Sequence, residues 1–398
     1  MANLYEANYQ WANRPDDERF ESLEAMYKAT KAYADSAREQ QAFLGGLRVE
    51  ANSQDNNLLL TGQSGKYAKL THYSFGQLSR FAKAPAEYLR SLPPTLAAQN
   101  INHGLKKAAD GHSENKLNLL FHQNGSLVAR AITSDSYDRV WNHEVIAEVV
   151  RRMGHSGWVV PPARPAREGQ KGTRVATAAD ILPNQGDFGL RIKEGDLIAP
   201  AGLYASDHDM FAFLVNQEQP IFDGQKLLNR GVFIQNSEVG DCSLRFKLFT
   251  YDNVCGNHIV WGVGKVTDIA VRHVKSEGRA RGNTLTNAMS KWRIINTQVP
   301  DLKAMEATIA KAREFELGAT KEEVLEAVFG FAKTKGLNAL TRGTLEASYD
   351  LAEQTPRYGS PRSVWGMVNG LTEYSQKSGH TDTRTELDTQ AGRLMEMF

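Results

Sequence analysis

The chain has 398 residues, 41% of them hydrophobic and 23% charged, enough for two or three domains or one large core with an appended part. A formal net charge of +1 excludes a global field drawing it onto nucleic acid or membrane, so any such attraction is local. No apolar run reaches the roughly eighteen residues of a membrane helix, and two cysteines give no disulfide framework.

The first residues, MANLYEANYQWANRPDDERF, lack the basic and apolar regions of a signal peptide, so a cytoplasmic location is expected. A helical run is expected from Phe20 to Gln41, preceded by Pro15, Asp16, Asp17 and Glu18, residue types that favour a helix N-terminus. LRVEANSQDNNLLLTGQSGKYAKL then alternates and breaks at Asn, Asp and Gly, as strands joined by turns do. Phe75, Leu78 and Phe81 share a helical face, and Pro85, Pro93 and Pro94 divide the stretch that follows into short helices.

From Lys116 the character changes. KLNLLFHQNGSLVARAIT predicts two strands around an Asn124–Gly125 hairpin, followed by a helix apolar at Val145, Ile146, Val149 and Val150 and ended by Gly154. Residues 158–187 carry proline, glycine and charge without periodicity and predict a long exposed loop. Residues 188–274 are rich in strand patterns, and from Thr284 onward the pattern is helical. These features predict an α+β fold, a mixed or antiparallel sheet core with flanking helices and a helical C-terminal region. The expected divisions are 1–115, mostly helical with a short hairpin; 116–283, an α+β core with basic loops; and 284–398, helical.

Two groups of residues invite a metal. Cys242, Cys255, His258 and His273 include one close pair, Cys255 and His258, but zinc sites are usually built from two such pairs. Alternation in CSLRFKLFTY places Cys242, Leu244, Phe246 and Leu248 on one face and Arg245 and Lys247 on the other. Cysteine is among the most buried residue types, so core cysteines are expected and no metal site. Asp207 and Asp209 of SDHDMF would share one face of a strand, leaving His208 on the other. Two carboxylates can hold magnesium with phosphate oxygens or be solvated residues at a sheet turn. No Walker loop, GxGxxG after a strand, HExxH or GxSxG occurs, so no catalytic residue and no cofactor is expected.

Positive charge concentrates locally. Between Arg151 and Arg293 there are 19 Lys and Arg against 14 Asp and Glu. One window holds Arg164, Arg167, Lys171 and Arg174; a second holds Arg272, Lys275, Arg279, Arg281, Lys291 and Arg293, with Trp292 between the last two. Basic loops with aromatic residues nearby suit a single-stranded backbone, cations neutralising phosphates and rings stacking on bases; they also suit plain solvation.

The segments ARAITSDSYDRVWNHEVI (129–146), GLYASDHDMFAFLV (202–215), IQNSEVGDCSLRFKLFTYDNVCGNHIVWG (234–262), VRHV (271–274) and SVWGMVNGLTEYSQ (363–376) resemble a family of phage- and plasmid-borne proteins, the domain-of-unknown-function family numbered 932. The resemblance implies a mobile-element protein encoded among replication and recombination functions. The order of hairpin, helix and further strands is loosely similar to the core of ring-forming single-strand annealing proteins. The expectation is a phage or plasmid protein that binds single-stranded DNA and assists annealing in recombination or replication. It would act as a homo-oligomer, with an exonuclease as a possible partner and no membrane involved. The rival expectations are a metal-dependent enzyme acting on nucleotides or nucleic acid, with Asp207, Asp209 and Glu238 as ligands, and an interaction protein directed at a host defence or host enzyme.

Overall fold

The computed structural model describes residues 20–52, 57–62, 65, 67–110, 115–124, 126–153, 156–160, 163–165, 173–181, 192–199, 202–222, 227–252, 258–259, 268–275, 283–297, 302–375 and 381–397. Helix α1 (Leu23–Asp35) begins where Ser22 accepts the Ala25 amide at 3.1 Å, satisfying a donor that has no partner within the helix. It stops short of Gln41. Ala37–Phe43 instead forms strand β1, paired antiparallel along its whole length. The residues AREQQAF favour a helix intrinsically, and the available sheet edge overrides that weak preference.

The first sheet joins β1 to β2 (Arg48–Asn52), β3 (Asn57–Thr61), β4 (Tyr67–Leu70), β5 (Lys116–Asn124) and β6 (Ser126–Ser134) in the order β1-β5-β6-β4-β3-β2. Its β5–β6 hairpin turns where Asn124–Gly125 predicts, and only β4 and β6 run parallel. Strands β1 and β2 are opposite edges, yet Leu44–Leu47 alone connects them. In a flat six-stranded sheet the edges lie about 24 Å apart, whereas five residue steps reach roughly 17 Å. The sheet therefore curls into an open barrel. Leu47, Leu60, Leu117 and Leu119 fill it, and Phe75 and Leu78 of α2 (His72–Phe81) and Ile101 and Leu105 of α4 (Pro94–Ala109) close it. Between them, α3 (Ala86–Ser91) follows Pro85, as the prolines predict. The sheet draws strands from both sides of residues 115–116.

Helix α5 (Asn142–Met153) buries Val145, Ile146, Val149 and Met153. Val150 is 47% exposed; it lies one helical step beyond Val149, past the buried stripe, and Met153 takes the place expected of it. Two-residue strands follow at β7 (Trp158–Val159), β8 (Arg164–Pro165) and β9 (Arg174–Val175). The last two flank β10 (Leu197–Ala199) in a small second sheet.

The third sheet is a meander of β11 (Leu203–Ala205), β12 (Met210–Phe222), β13 (Leu227–Asn236) and β14 (Leu244–Asp252). Strands β15 (His258–Ile259) and β16 (Asp268–Val271) both pair with β14, and β7 pairs with β12. Leu244, Phe246 and Leu248 share the buried face that alternation requires. Cys242 does not join them. It lies in a bend two residues before β14 and is partly exposed; Cys255 lies outside the described residues. Lys247, on the opposite face, is itself buried, with its amine bonded to Thr389 at 3.0 Å.

Helices occupy the chain from Thr284: α6 (Thr284–Thr297), α7 (Leu302–Glu314), α8 (Lys321–Lys335), α9 (Arg342–Gln354), α10 (Val364–Ser375) and α11 (Thr381–Gly392). Helix α8 ends at Gly336, whose φ of 66° lets the Leu337 amide reach the Ala332 carbonyl at 2.8 Å, a closure that glycine makes without steric cost. Every residue of α10 from Val364 to Thr372 is buried. One apolar core takes in α1, α5, the third sheet and these helices, so the chain is α+β with a helical C-terminal region. No described helix is long and apolar enough to cross a membrane.

Candidate functional site: a polar cluster and a basic loop root

Polar residues gather where the two large sheets meet. Residues 206–209 turn β11 into β12 rather than continuing a strand, so the alternation that would separate His208 from Asp209 does not operate. Ser206 Oγ organises the turn: it accepts the His208 and Asp209 amides at 3.2 and 3.1 Å and donates to Asp209 Oδ1 at 2.6 Å. His208 Nδ1 lies 3.0 Å from Asp207 Oδ1, and its Nε2 lies 3.6 Å from Asp209 Oδ1.

A second turn, Ser237–Asp241, faces the first. Ser237 Oγ donates to the His208 carbonyl at 2.6 Å and accepts the Val239, Gly240 and Asp241 amides. Gly240 holds φ 92°, a conformation that side-chain-bearing residues rarely adopt. This turn carries Asp241 to the cluster. One ligand atom each from His208, Asp209 and Asp241 lies within 4.8 Å of the others. Asp209 is fully buried and Asp241 exposed.

Behind them Arg130, 1% exposed, bonds the Asp207 carbonyl through Nε and Nη2 and pairs with Glu238 at 2.9 Å. Its guanidinium lies 4.4 Å from the centre of the Tyr33 ring. The other Glu238 oxygen accepts the Asn142 amide at 2.9 Å, capping α5. Both oxygens of Glu238 are thus engaged, and Asp207 is turned onto His208. The ligand set of the rival metal reading, Asp207, Asp209 and Glu238, is not the one brought together: Asp209 is joined by His208 and Asp241.

Burial sets the ionisation of the surrounding imidazoles. Burial, then Arg90 and His208, lower His72 to about 4. Burial also lowers His273 and His122, in His122 aided by Arg130. In His208 burial acts downward too, but the Asp207 hydrogen bond and the carboxylates of Asp209, Asp207 and Asp241 outweigh it and raise the group.

The basic residues divide. Trp292 is 1% exposed and packs against Phe246 and Trp158, with ring centres 5.3 and 5.9 Å away; it has no face for a base, because the apolar side of α6 against the sheet claims it. Arg174 is held by Glu21 and by both oxygens of Asp180, which together raise its pKa. Lys275 donates to the Asp135 carbonyl at 2.8 Å. Arg272, Lys291 and Arg293 are exposed. Arg164 stands in β8, while Arg167, Lys171, Arg279 and Arg281 lie outside the described residues. Thr284 Oγ1 lies 3.4 Å from the Arg272 carbonyl and donates to Asp138 at 2.6 Å. The two ends of the 273–283 segment are therefore pinned together with Arg272 at their root.

Compared with known families, the chain matches one described as a domain of unknown function (DUF932), over residues 186–397. It belongs to the DUF932 family. No curated protein and no solved structure matches it. The DUF932 match contains both turns of the polar cluster and the whole second basic window, whereas Arg130, Arg164, Arg167, Lys171 and Arg174 precede it. Sequence reading reached Asp207, Asp209 and Glu238 but passed over Arg130 and Asp241. The available signal for Asp241 was SEVGD, a serine three residues before a glycine, the pattern of a side-chain-closed turn.

Proposed function

We propose that this DUF932 protein binds single-stranded DNA and assists annealing in recombination or replication. It would work in the cytoplasm of a host cell as a phage- or plasmid-encoded homo-oligomer, with an exonuclease of the same element as a partner. The observation that carries the reading is the root of the second basic window. Arg272 is exposed where the ends of the segment bearing Arg279 and Arg281 are pinned, and α6, which begins at that same point, exposes Lys291 and Arg293. Cations close together in the sequence can follow successive phosphates, and side chains on a fixed framework lose less entropy on binding. With Arg174 engaged in ion pairs, the reading rests on this window rather than the first. Bases are contacted by side chains other than Trp292.

The test is a titration with single- and double-stranded oligonucleotides at several salt concentrations. Alanine at Arg272, Arg279, Arg281, Lys291 and Arg293 should weaken single-strand binding for every sequence. It should also flatten the log–log salt dependence by about 0.7 per lost contact. Wild-type protein that fails to bind single strands near physiological salt overturns the proposal, and an action on a host protein then leads. A second reading, metal-dependent chemistry on nucleotides or nucleic acid, is favoured by the grouping of His208, Asp209 and Asp241.

A further inference from the structure

A neutral imidazole has one N–H and one lone pair. At His208 a carboxylate faces each nitrogen: Asp207 Oδ1 at Nδ1, 3.0 Å away, and Asp209 Oδ1 at Nε2, 3.6 Å away. The Ser206 hydroxyl also lies 3.0 Å from Nδ1 and donates to Asp209. With that hydroxyl committed to Asp209, an Nδ1–H meets Asp207 and the Nε2 lone pair faces Asp209 Oδ1, a gap that a proton or a cation can fill.

Geometry decides for the cation. The closer contact, at Nδ1, is the one that a carboxylate makes when it orients a metal-bound histidine from behind, leaving Nε2 as the ligand atom. On the Nε2 side a third group arrives from another turn. Asp241 comes from the Ser237–Asp241 turn, and Ser237 Oγ bonds the His208 carbonyl at 2.6 Å, so the two turns are fixed to each other. Ligand bonds of about 2.0–2.2 Å place donor atoms roughly 3–4 Å apart; these three lie within 4.8 Å of one another. Ser206 Oγ fixes Oδ1 of the fully buried Asp209, the oxygen that faces Nε2. Asp241, at the surface, leaves the outer side open to water or to an anionic oxygen ligand.

We propose that His208, Asp209 and Asp241 form a binding site for one divalent transition cation, with Mn²⁺, which suits the two carboxylates, as the probe. The site stands independently of the DNA reading. It lies on the turns between the sheets, and Tyr137 links its Ser237–Asp241 turn to His273, the neighbour of Arg272.

The test is an electron paramagnetic resonance titration of chelator-treated full-length protein with Mn²⁺. One saturable ion per chain is expected. Asp241→Asn should weaken it at least about tenfold, with thermal unfolding of the metal-free variant measured alongside because Asp241 also acts on His208. Mn²⁺ should raise the unfolding temperature of wild type and not of Asp241→Asn. Absence of saturable Mn²⁺ binding at millimolar concentration, or equal binding by wild type and Asp241→Asn, overturns the proposal.

Discussion

Arg130 and Glu238 stand 108 positions apart in the chain and 2.9 Å apart in the fold, with 1% and 2% of their side chains exposed. One comes from the barrel strand β6 and the other from the turn after β13, so the pair fastens the first sheet to the third. Removing one partner of such a pair leaves a buried, uncompensated charge, at a cost of about 3–5 kcal/mol. Glu238→Ala also deprives the Asn142 amide of its acceptor. Its urea unfolding midpoint should fall accordingly. In a double-mutant cycle with Arg130→Met the two losses should be strongly non-additive; strictly additive losses would mean that the charges do not stabilise one another.

Cys242 should react readily. It sits partly exposed in the bend before β14, so a thiol reagent should label it in the native protein at a rate not far below that in denaturant. Protection of Cys242 by a large factor would place it on the buried face of the strand with Leu244 and Phe246.

His72 and His208 predict opposite pH trends. His72 falls from 6.5 in the unfolded chain to about 4 in the fold. As pH drops through that window the unfolded chain takes up a proton that the folded one refuses, and stability is lost. His208 is raised in the fold, so its contribution is complete below the unfolded value and is lost as pH climbs through the folded one. With chelator present, His72→Gln should flatten the fall in unfolding temperature from about pH 6.5 to 4. The penalty of His208→Gln should be largest in that acid range and shrink above neutrality. A His208→Gln penalty that grows toward alkaline pH would reverse the assigned shift.

Where a structural decision was local, the sequence carried it. Alternation at Leu244, Phe246 and Leu248, the Asn124–Gly125 turn and the prolines at 85, 93 and 94 each act within a few residues, and the elements stand where they point. The strand at Ala37–Phe43 was hidden because its residues prefer a helix and its partner, β5, begins more than seventy positions later. The site was less legible still. Arg130 and Glu238 are an arginine in a strand and a glutamate in a turn until the fold joins them. His208 looked separated from Asp209 because SDHDMF reads equally as strand or turn, and Ser206 settles it by closing the turn with its hydroxyl.

Helix α6 offers the sharpest contrast, within three successive residues. Lys291 and Arg293 face solvent, while Trp292 between them is buried against Phe246 and Trp158. Trp292→Ala should therefore destabilise the protein by about 3–5 kcal/mol, the cost of a large core cavity. Any loss of DNA affinity in that variant should follow the fraction unfolded. Lys291→Ala combined with Arg293→Ala should change stability by less than about 0.5 kcal/mol yet weaken single-strand binding and reduce its salt dependence. Chemical denaturation and oligonucleotide titration on the two variants separate the roles. A Trp292→Ala protein of wild-type stability with selectively impaired binding would put the indole at the surface and α6 in a different orientation on the sheet.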